Sequence, residues 1–366
     1  MKYPLYDFSS LHDREFIGDL KRCLDKIFVE NSFIDGEFNL AFERDFAKMQ
    51  GASHCLLVAN GTDALEIALK SQDIGHGDSV AIPGITFFAT AEAVINVGAT
   101  PVFVDVDPLT GLMDPASLER VGKEKKIKAV MPVHIYGLPA PMGKINSICS
   151  SHKWKIIEDG AQACGTFLPS GPVGSNKNAL TTFSFYPTKN LSAMGDAGAI
   201  LLHDDATAEK IKSLRNHGRG ATGMVGRNSR CDHIQAAVLL LKLREIENQN
   251  KKRKEIARLY HEQLAQLPCR LLPRSYLETS SWHLYPIFLG DAQEREELQA
   301  FLTDSGIGSS PYYLLSMPQE EALQAYSGER KNADAMAGKA LCLPIHPFMT
   351  ERHVHEIALQ IKSFYQ

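Results

Sequence analysis

From about residue 50 to 205 the chain alternates short apolar runs with amphipathic stretches, the pattern of strands and helices taking turns in a largely parallel sheet. The apolar runs Cys55–Ala59, Ser79–Ile82, Pro101–Asp105, Ala129–Val133, Lys155–Glu158, Thr181–Phe185 and Gly198–Leu202 are predicted strands. Between them Asp63–Lys70, Phe88–Val97, Pro115–Val121 and Met142–His152 carry apolar residues at helical spacing. In such sheets ligands collect at the carboxyl ends of the strands, so chemistry is sought just after each one. Residues 206–216 predict another helix, 217–230 an irregular Gly-rich segment, and 232–265 one long helix. Beyond Pro268 the pattern changes to scattered strands and helices. The expected architecture is α/β: a large domain with an N-terminal arm, residues 1–250, with a mostly parallel central sheet flanked by helices, and a smaller C-terminal α/β domain, residues 251–366.

Composition narrows the class. The chain has 366 residues, 44% hydrophobic and 22% charged, ordinary globular values that exclude disordered and fibrous classes. The formal charge of −4 and the lack of a long basic tract leave no footprint for nucleic acid or a membrane surface. The run Lys251-Lys252-Arg253-Lys254 falls in a predicted helix and reads as a solvated face. Seven dispersed cysteines without a CxxC pair argue against a disulfide framework and a zinc cluster. Neither a signal-peptide core nor an apolar run of membrane-spanning length is present, so cytoplasm is the expected compartment.

Three features carry candidate chemistry. Asn60-Gly61-Thr62-Asp63 joins a strand to a helix, where Gly61 permits close backbone approach and Thr62 can cap the helix; the turn is either an anion site or a simple capped βα turn. Asp159 ends a strand and puts a carboxylate at the edge of the sheet. Lys189 follows another strand in Ser184-Phe185-Tyr186-Pro187-Thr188-Lys189, with few charges nearby, and suits a desolvated amine nucleophile. Each has an ordinary structural explanation alone. Together, in this order on one sheet, they fit pyridoxal 5′-phosphate (PLP), whose ring needs an acidic partner and whose aldehyde needs a lysine. Gly218-Arg219-Gly220-Ala221-Thr222-Gly223 matches a dinucleotide fingerprint but follows a helix instead of a strand, which argues against a nicotinamide enzyme. His353 and His355, two apart on a predicted helix, lie on different faces and are not a metal site.

With these residues the sequence resembles the DegT/DnrJ/EryC1/StrS sugar aminotransferase family, PLP enzymes of the aspartate aminotransferase fold (fold type I). The resemblance runs in order through FIDGEFNLAF (33–42), VANGTDAL (58–65), PGITFFATA (83–91), PVHIYG (132–137), EDGAQA (158–163), FSFYPTKNLSAMGDAGA (183–199) and GRNSRCDHIQAA (226–237). It implies that Lys189 holds the cofactor and then moves the proton. Asp159 would face the pyridine nitrogen, Phe87 stack on the ring, Gln162 lie near the ring hydroxyl, and Gly61, Thr62 and Ser184 hold the phosphate. Asn228 would reach the phosphate of the neighbouring subunit, implying a homodimer with shared sites. Tyr186 and Tyr313 are the candidate substrate contacts. Family members often carry a His-Tyr pair where this chain has Tyr312-Tyr313, and Thr166–Ser175 departs from the family pattern in a way expected to alter one wall of the site. The implied activity is transfer of an amino group from an amino acid, glutamate foremost, to a keto group of a nucleotide-linked deoxysugar, with a lean to the sugar's 3-position, in a ping-pong cycle. A sugar dehydratase using the same cofactor and a non-catalytic PLP-binding regulator are the alternatives; the presence of Lys189 and Asp159 argues against both.

Overall fold

The computed structural model describes residues 1–220 and 223–366. Ala221 and Thr222, inside the rejected fingerprint, lie outside the described residues. After a single helical turn at Phe8–Leu11 come two helices, α1 (Arg14–Glu30) and α2 (Glu37–Met49), for which the sequence pattern had given no elements. Asp13 starts α1 by accepting from the Phe16 amide, and Asn31 ends it in left-handed backbone.

The strand-helix alternation then follows: β1 (His54–Val58), α3 (Gly61–Ser71), β2 (Ser79–Pro83), α4 (Ala89–Asn96), β3 (Thr100–Val104), α5 (Pro115–Glu124), β4 (Ala129–Val130), α6 (Met142–His152), β5 (Lys155–Asp159), β6 (Ala179–Ser184), β7 (Gly198–Leu202) and α7 (Asp205–Leu214). The seven strands form one sheet in the order β1-β7-β6-β5-β4-β2-β3. From β6 to β3 every pair is parallel, whereas β7 runs antiparallel to both β6 and β1. The carboxyl ends of β1, β2, β5 and β6 therefore share one edge.

Strand β4 is shorter than expected, stopping at Val130 instead of Val133. Pro132 has no N–H to give to a ladder, and the chain keeps contact through single bonds, Met131 N to Ala81 O and Asp159 N to Pro132 O. The long helix expected over 232–265 is two, α8 (His233–Leu243) and α9 (Ile246–Leu264). The turn at Arg244-Glu245 redirects the chain, so that α8 packs on α1 and α2 while α9 packs on α11 (Glu351–Phe364). Residue 250, where the sequence pattern divides the chain, falls in α9. The C-terminal part has its own antiparallel sheet, β8 (Arg270–Leu271), β9 (Tyr285–Phe288) and β10 (Ala340–Leu343), with α10 (Ala292–Asp304) and α11. Among the described residues no helix is long and apolar enough to cross a membrane, and all seven cysteines are free thiols.

Both faces of the main sheet are apolar because helices cover both. Along β1, Cys55 and Leu57 enter one core while Leu56 and Val58 enter the other. The first core holds an aromatic knot that fastens α2 to the sheet: Phe46 lies 5.2 Å from Phe183 and 5.3 Å from Phe185, both edge to face, and stacks on Phe42. Phe46 is fully buried. Phe46→Ala is expected to cost about 3–5 kcal/mol through the cavity it leaves. A lower chemical denaturation midpoint at unchanged denaturant slope is the check.

Candidate active site

A cavity of about 810 Å³ opens at the shared strand edge, and Gly61, Thr62, Phe87, Asp159, Gln162, Ser184, Tyr186, Lys189 and Tyr313 all line it. Residues separated by up to 252 positions in the sequence thus meet in one place. Asn228 does not line it and is exposed on the surface.

The floor is built where β1 turns into α3. Gly61 is the first residue of the helix, and the cap is Asn60, whose side chain accepts from the Asp63 amide at 2.8 Å. Thr62, expected to cap, instead sits in the first turn of the helix. The turn presses against the end of β6: a Cβ at Gly61 would stand 2.7 Å from the Cβ of Ser184. Only glycine allows that approach. A helix N-terminus, a serine hydroxyl and bare backbone amides converge there, the requirements of a phosphate cradle.

Asp159 is 5% exposed, yet its carboxylate is fully engaged on the protein side. Oδ2 accepts from Thr90 Oγ1 at 2.9 Å and Oδ1 from the Ala161 amide at 3.1 Å. Thr90 has one hydroxyl proton and gives it to Asp159, so Thr86, 2.7 Å away, donates to Thr90. These bonds fix the direction of the carboxylate. Thr86 and Thr90 were missed in the sequence, although Thr90 stands three residues after Phe87, a helical spacing that puts both near one wall.

Lys189 lies partly buried in the same cavity. Burial pushes its ammonium down to about 8, while the Asp159 carboxylate acts in the opposite direction. The next residue anchors it from behind: Asn190 Nδ2 donates to Asn250 Oδ1 and to Ser281 O, both at 2.9 Å. Asn190 Oδ1 is thereby left to meet His283 Nδ1 at 3.3 Å. His283, also in the lining, is held well below the usual histidine range by burial and by the charges of Lys189 and Arg253, and is neutral.

Gln162 is clamped at both ends. Its Oε1 accepts from the Tyr136 amide at 2.6 Å and its Nε2 donates to Tyr313 Oη at 3.1 Å. Tyr136 reaches this position in left-handed backbone, φ 60°, a conformation that costs about 1–2 kcal/mol for a residue with a side chain. Burial raises the Tyr313 phenol, which stays protonated. Phe87 is 60% exposed, so it is a bare aromatic face on the cavity and not a core residue. Tyr6, from the N-terminal arm, also lines the cavity, its hydroxyl 3.5 Å from that of Tyr312. No local pattern singles it out. Thr166–Ser175, expected as a wall, folds into a small hairpin outside the lining.

The irregular segment carrying Asn228 is pinned beside the cradle. Arg227 Nη1 bonds Asp63 Oδ1 and Glu66 Oε2, each at 2.6 Å, and Ser229 Oγ accepts from the Ala59 amide at 3.1 Å. Asn228 lies between these two anchors, its Oδ1 accepting from Arg230 at 3.1 Å.

Comparison with known proteins agrees with this geometry. The model of the DegT/DnrJ/EryC1/StrS aminotransferase family matches residues 14–362. The chain belongs to that family. This aminotransferase is 37% identical to the UDP-N-acetyl-3-dehydro-alpha-D-glucosamine 3-aminotransferase of Acidithiobacillus ferrooxidans, over 97% of this chain and 95% of that protein. It is 36% identical to a pleiotropic regulatory protein of Geobacillus stearothermophilus, over 100% and 99%. Among solved structures, S. venezuelae DesV in complex with a ketimine intermediate superposes with a TM-score of 0.94 at 30% identity, covering 100% of this chain and 98% of that one. The cofactor of the aminotransferase is PLP, and the cavity fits it: a cradle only glycine permits, a buried carboxylate and a lysine with a depressed pKa.

The neutral amine is the reactive form of Lys189, so the pH sign follows from its downward shift. The rate at which apoprotein captures PLP is expected to rise as pH climbs through about 8 and then level off. Rapid-mixing absorbance measurements on both sides of that value test this, with Lys189→Ala as the blank.

Proposed function

We propose that this aminotransferase moves an amino group from an amino acid, L-glutamate foremost, to the keto carbon of a nucleotide-linked sugar, in two half-reactions that share one site. The observation that carries the reading is the meeting of Lys189, Asp159 and the Gly61 cradle in a single cavity. When bound, PLP supplies an electron sink that weakens bonds at the amine-bearing carbon. The protein's residues do the rest. Gly61 and Thr62 at the start of α3, with Ser184, would hold the phosphate, and Phe87 would cover one face of the ring. Asp159, held in place by Thr90 and the Ala161 amide, would face the ring nitrogen, and Gln162 the ring hydroxyl. Lys189, anchored through Asn190, would release its hold on the cofactor as a free amine and carry the proton between carbons.

Several features support a sugar as acceptor. Tyr186 and Tyr313, joined by Tyr6 and Tyr312, give the cavity an aromatic, hydroxyl-bearing wall without charge, suited to ring faces and hydroxyls. The Acidithiobacillus relative is named for the 3-position, which supports a 3-keto sugar. The Geobacillus relative is named a regulator, and favours the second reading, cofactor binding without turnover. A homodimer with shared sites is supported by charge. Five carboxylates, Asp63, Glu66, Glu92, Asp159 and Asp196, line the cavity, and among the described lining residues Lys189 is the one Lys or Arg. A phosphate and an anionic substrate need more positive or donating groups than one chain provides, and Asn228 does not line its own cavity. Free, mostly buried cysteines suit a reducing, cytoplasmic setting.

Stoichiometric loss of the bound-PLP absorbance on adding L-glutamate alone, restored by a nucleotide-keto-sugar, would support the two half-reactions; no change with any amino acid would favour the regulatory reading. Lys189→Ala is expected to slow transfer by about 10²–10⁴-fold or more while the protein stays folded. Mixing Lys189→Ala with Asn228→Ala is expected to regain activity through heterodimers that hold one intact site. With subunit exchange verified, an inactive mixture would place Asn228 outside the partner's site.

A further inference from the structure

We propose that His134 and Glu158 are a positioning pair that holds Asp159 in the cavity from the opposite face of the sheet. The inference rests on the reading of Asp159 given above and adds the residues through which it acts.

Glu158 and Asp159 are consecutive at the end of β5, so their side chains leave opposite faces of the strand. Asp159 enters the cavity. Glu158 is 0% exposed on the far side, where its Oε2 accepts from His134 Nε2 at 2.9 Å and its Oε1 from Asn176 Nδ2 at 2.6 Å. His134, also 0% exposed, has its tautomer set by the backbone: Nδ1 accepts from the Ala140 amide at 3.0 Å, so Nε2 carries the proton. The imidazole is therefore neutral and donates to Glu158. Asn176 is held in turn, giving its amide to Asn146 Oδ1 on α6 at 3.1 Å. A buried carboxylate is thus satisfied by neutral donors alone, with no cation bonded to it. For stability by itself, apolar side chains of similar volume would serve as well or better.

The location supplies the reason. Strand β4 pairs with β5 only at Ala129 and Val130, and Pro132 interrupts the ladder just where Asp159 must be fixed. Two backbone bonds bridge the gap, His134 N to Asp159 O at 3.1 Å and Asp159 N to Pro132 O at 2.9 Å. His134 accordingly holds Asp159 through the main chain and the preceding residue through its imidazole. Loosening that grip frees the strand end and lets the Asp159 carboxylate move off Thr90 and Ala161.

A double-mutant cycle on PLP affinity, measured by equilibrium dialysis of folded apoprotein, separates positioning from general stability. His134→Phe removes the donor while keeping a ring, and is expected to weaken PLP binding by about tenfold or more in the native background. In the Asp159→Asn background the same change is expected to cost less than about twofold, because the group through which it acts is already lost. His134→Gln, able both to donate and to accept, is expected to restore most of the affinity. Equal losses in the two backgrounds, or no loss in the native one, overturn the pairing while leaving Asp159 in place. An Asp159→Asn protein that binds PLP as the native one does overturns the reading of Asp159 and the pairing with it. If His134→Phe does not fold, Glu158→Gln takes its place in the cycle with the same outcomes.

Discussion

A carboxylate buried at the end of a strand is the constraint on which the rest of the site depends. Asp159 has almost no contact with solvent, so its charge must be stabilised by fixed donors, and these come from α4 and from the turn after β5. Once fixed, the charge opposes the effect of burial on Lys189, which settles at about 8 instead of falling further. The carboxylate therefore acts on the lysine across the cavity. Without that carboxylate, burial alone would act on the lysine and lower it further.

The topology makes this meeting possible. Parallel strands bring the ends of β5 and β6 side by side, and the antiparallel β7 lets β1 join them with its carboxyl end at the same edge. The start of α3 is then forced against Ser184, and the absence of a side chain at Gly61 turns a steric conflict into a cradle. Gly198, at the start of β7, meets the same demand, since a Cβ there would stand 2.4 Å from Asn60 O. The Gly61 end of the cavity is thus shaped by backbone proximity, and the Asp159 end by buried side chains.

Rigidity is distributed to match. Gln162, Asn190 and Asp159 each have two or more partners and no freedom to turn. Phe87 and Tyr186, by contrast, are more than half exposed and face the cavity without fixed partners of this kind. A preorganised side chain spares the cost of ordering it on binding, whereas an exposed one is completed by what binds.

The sequence by itself determined the large sheet, because alternation of apolar and amphipathic segments is a local property that both faces of a covered sheet impose. It also marked Lys189, Asp159 and the Gly61 turn, whose residue types at strand ends have few other uses in combination. Its misreadings have physical causes: β4 ends early because Pro132 cannot donate, and the helix over 232–265 breaks because its halves pack on different partners. The N-terminal helices and Tyr6 escaped notice because nothing local ties them to a cavity whose other lining residues lie between Asn60 and Tyr313. Whether a polar residue faces a cavity or a core was settled only by the tertiary structure, as with Thr90, His283 and Glu158. A side chain's partner across the sheet is fixed by which strands become neighbours, and that depends on the packing of the whole chain, not on the residues beside it.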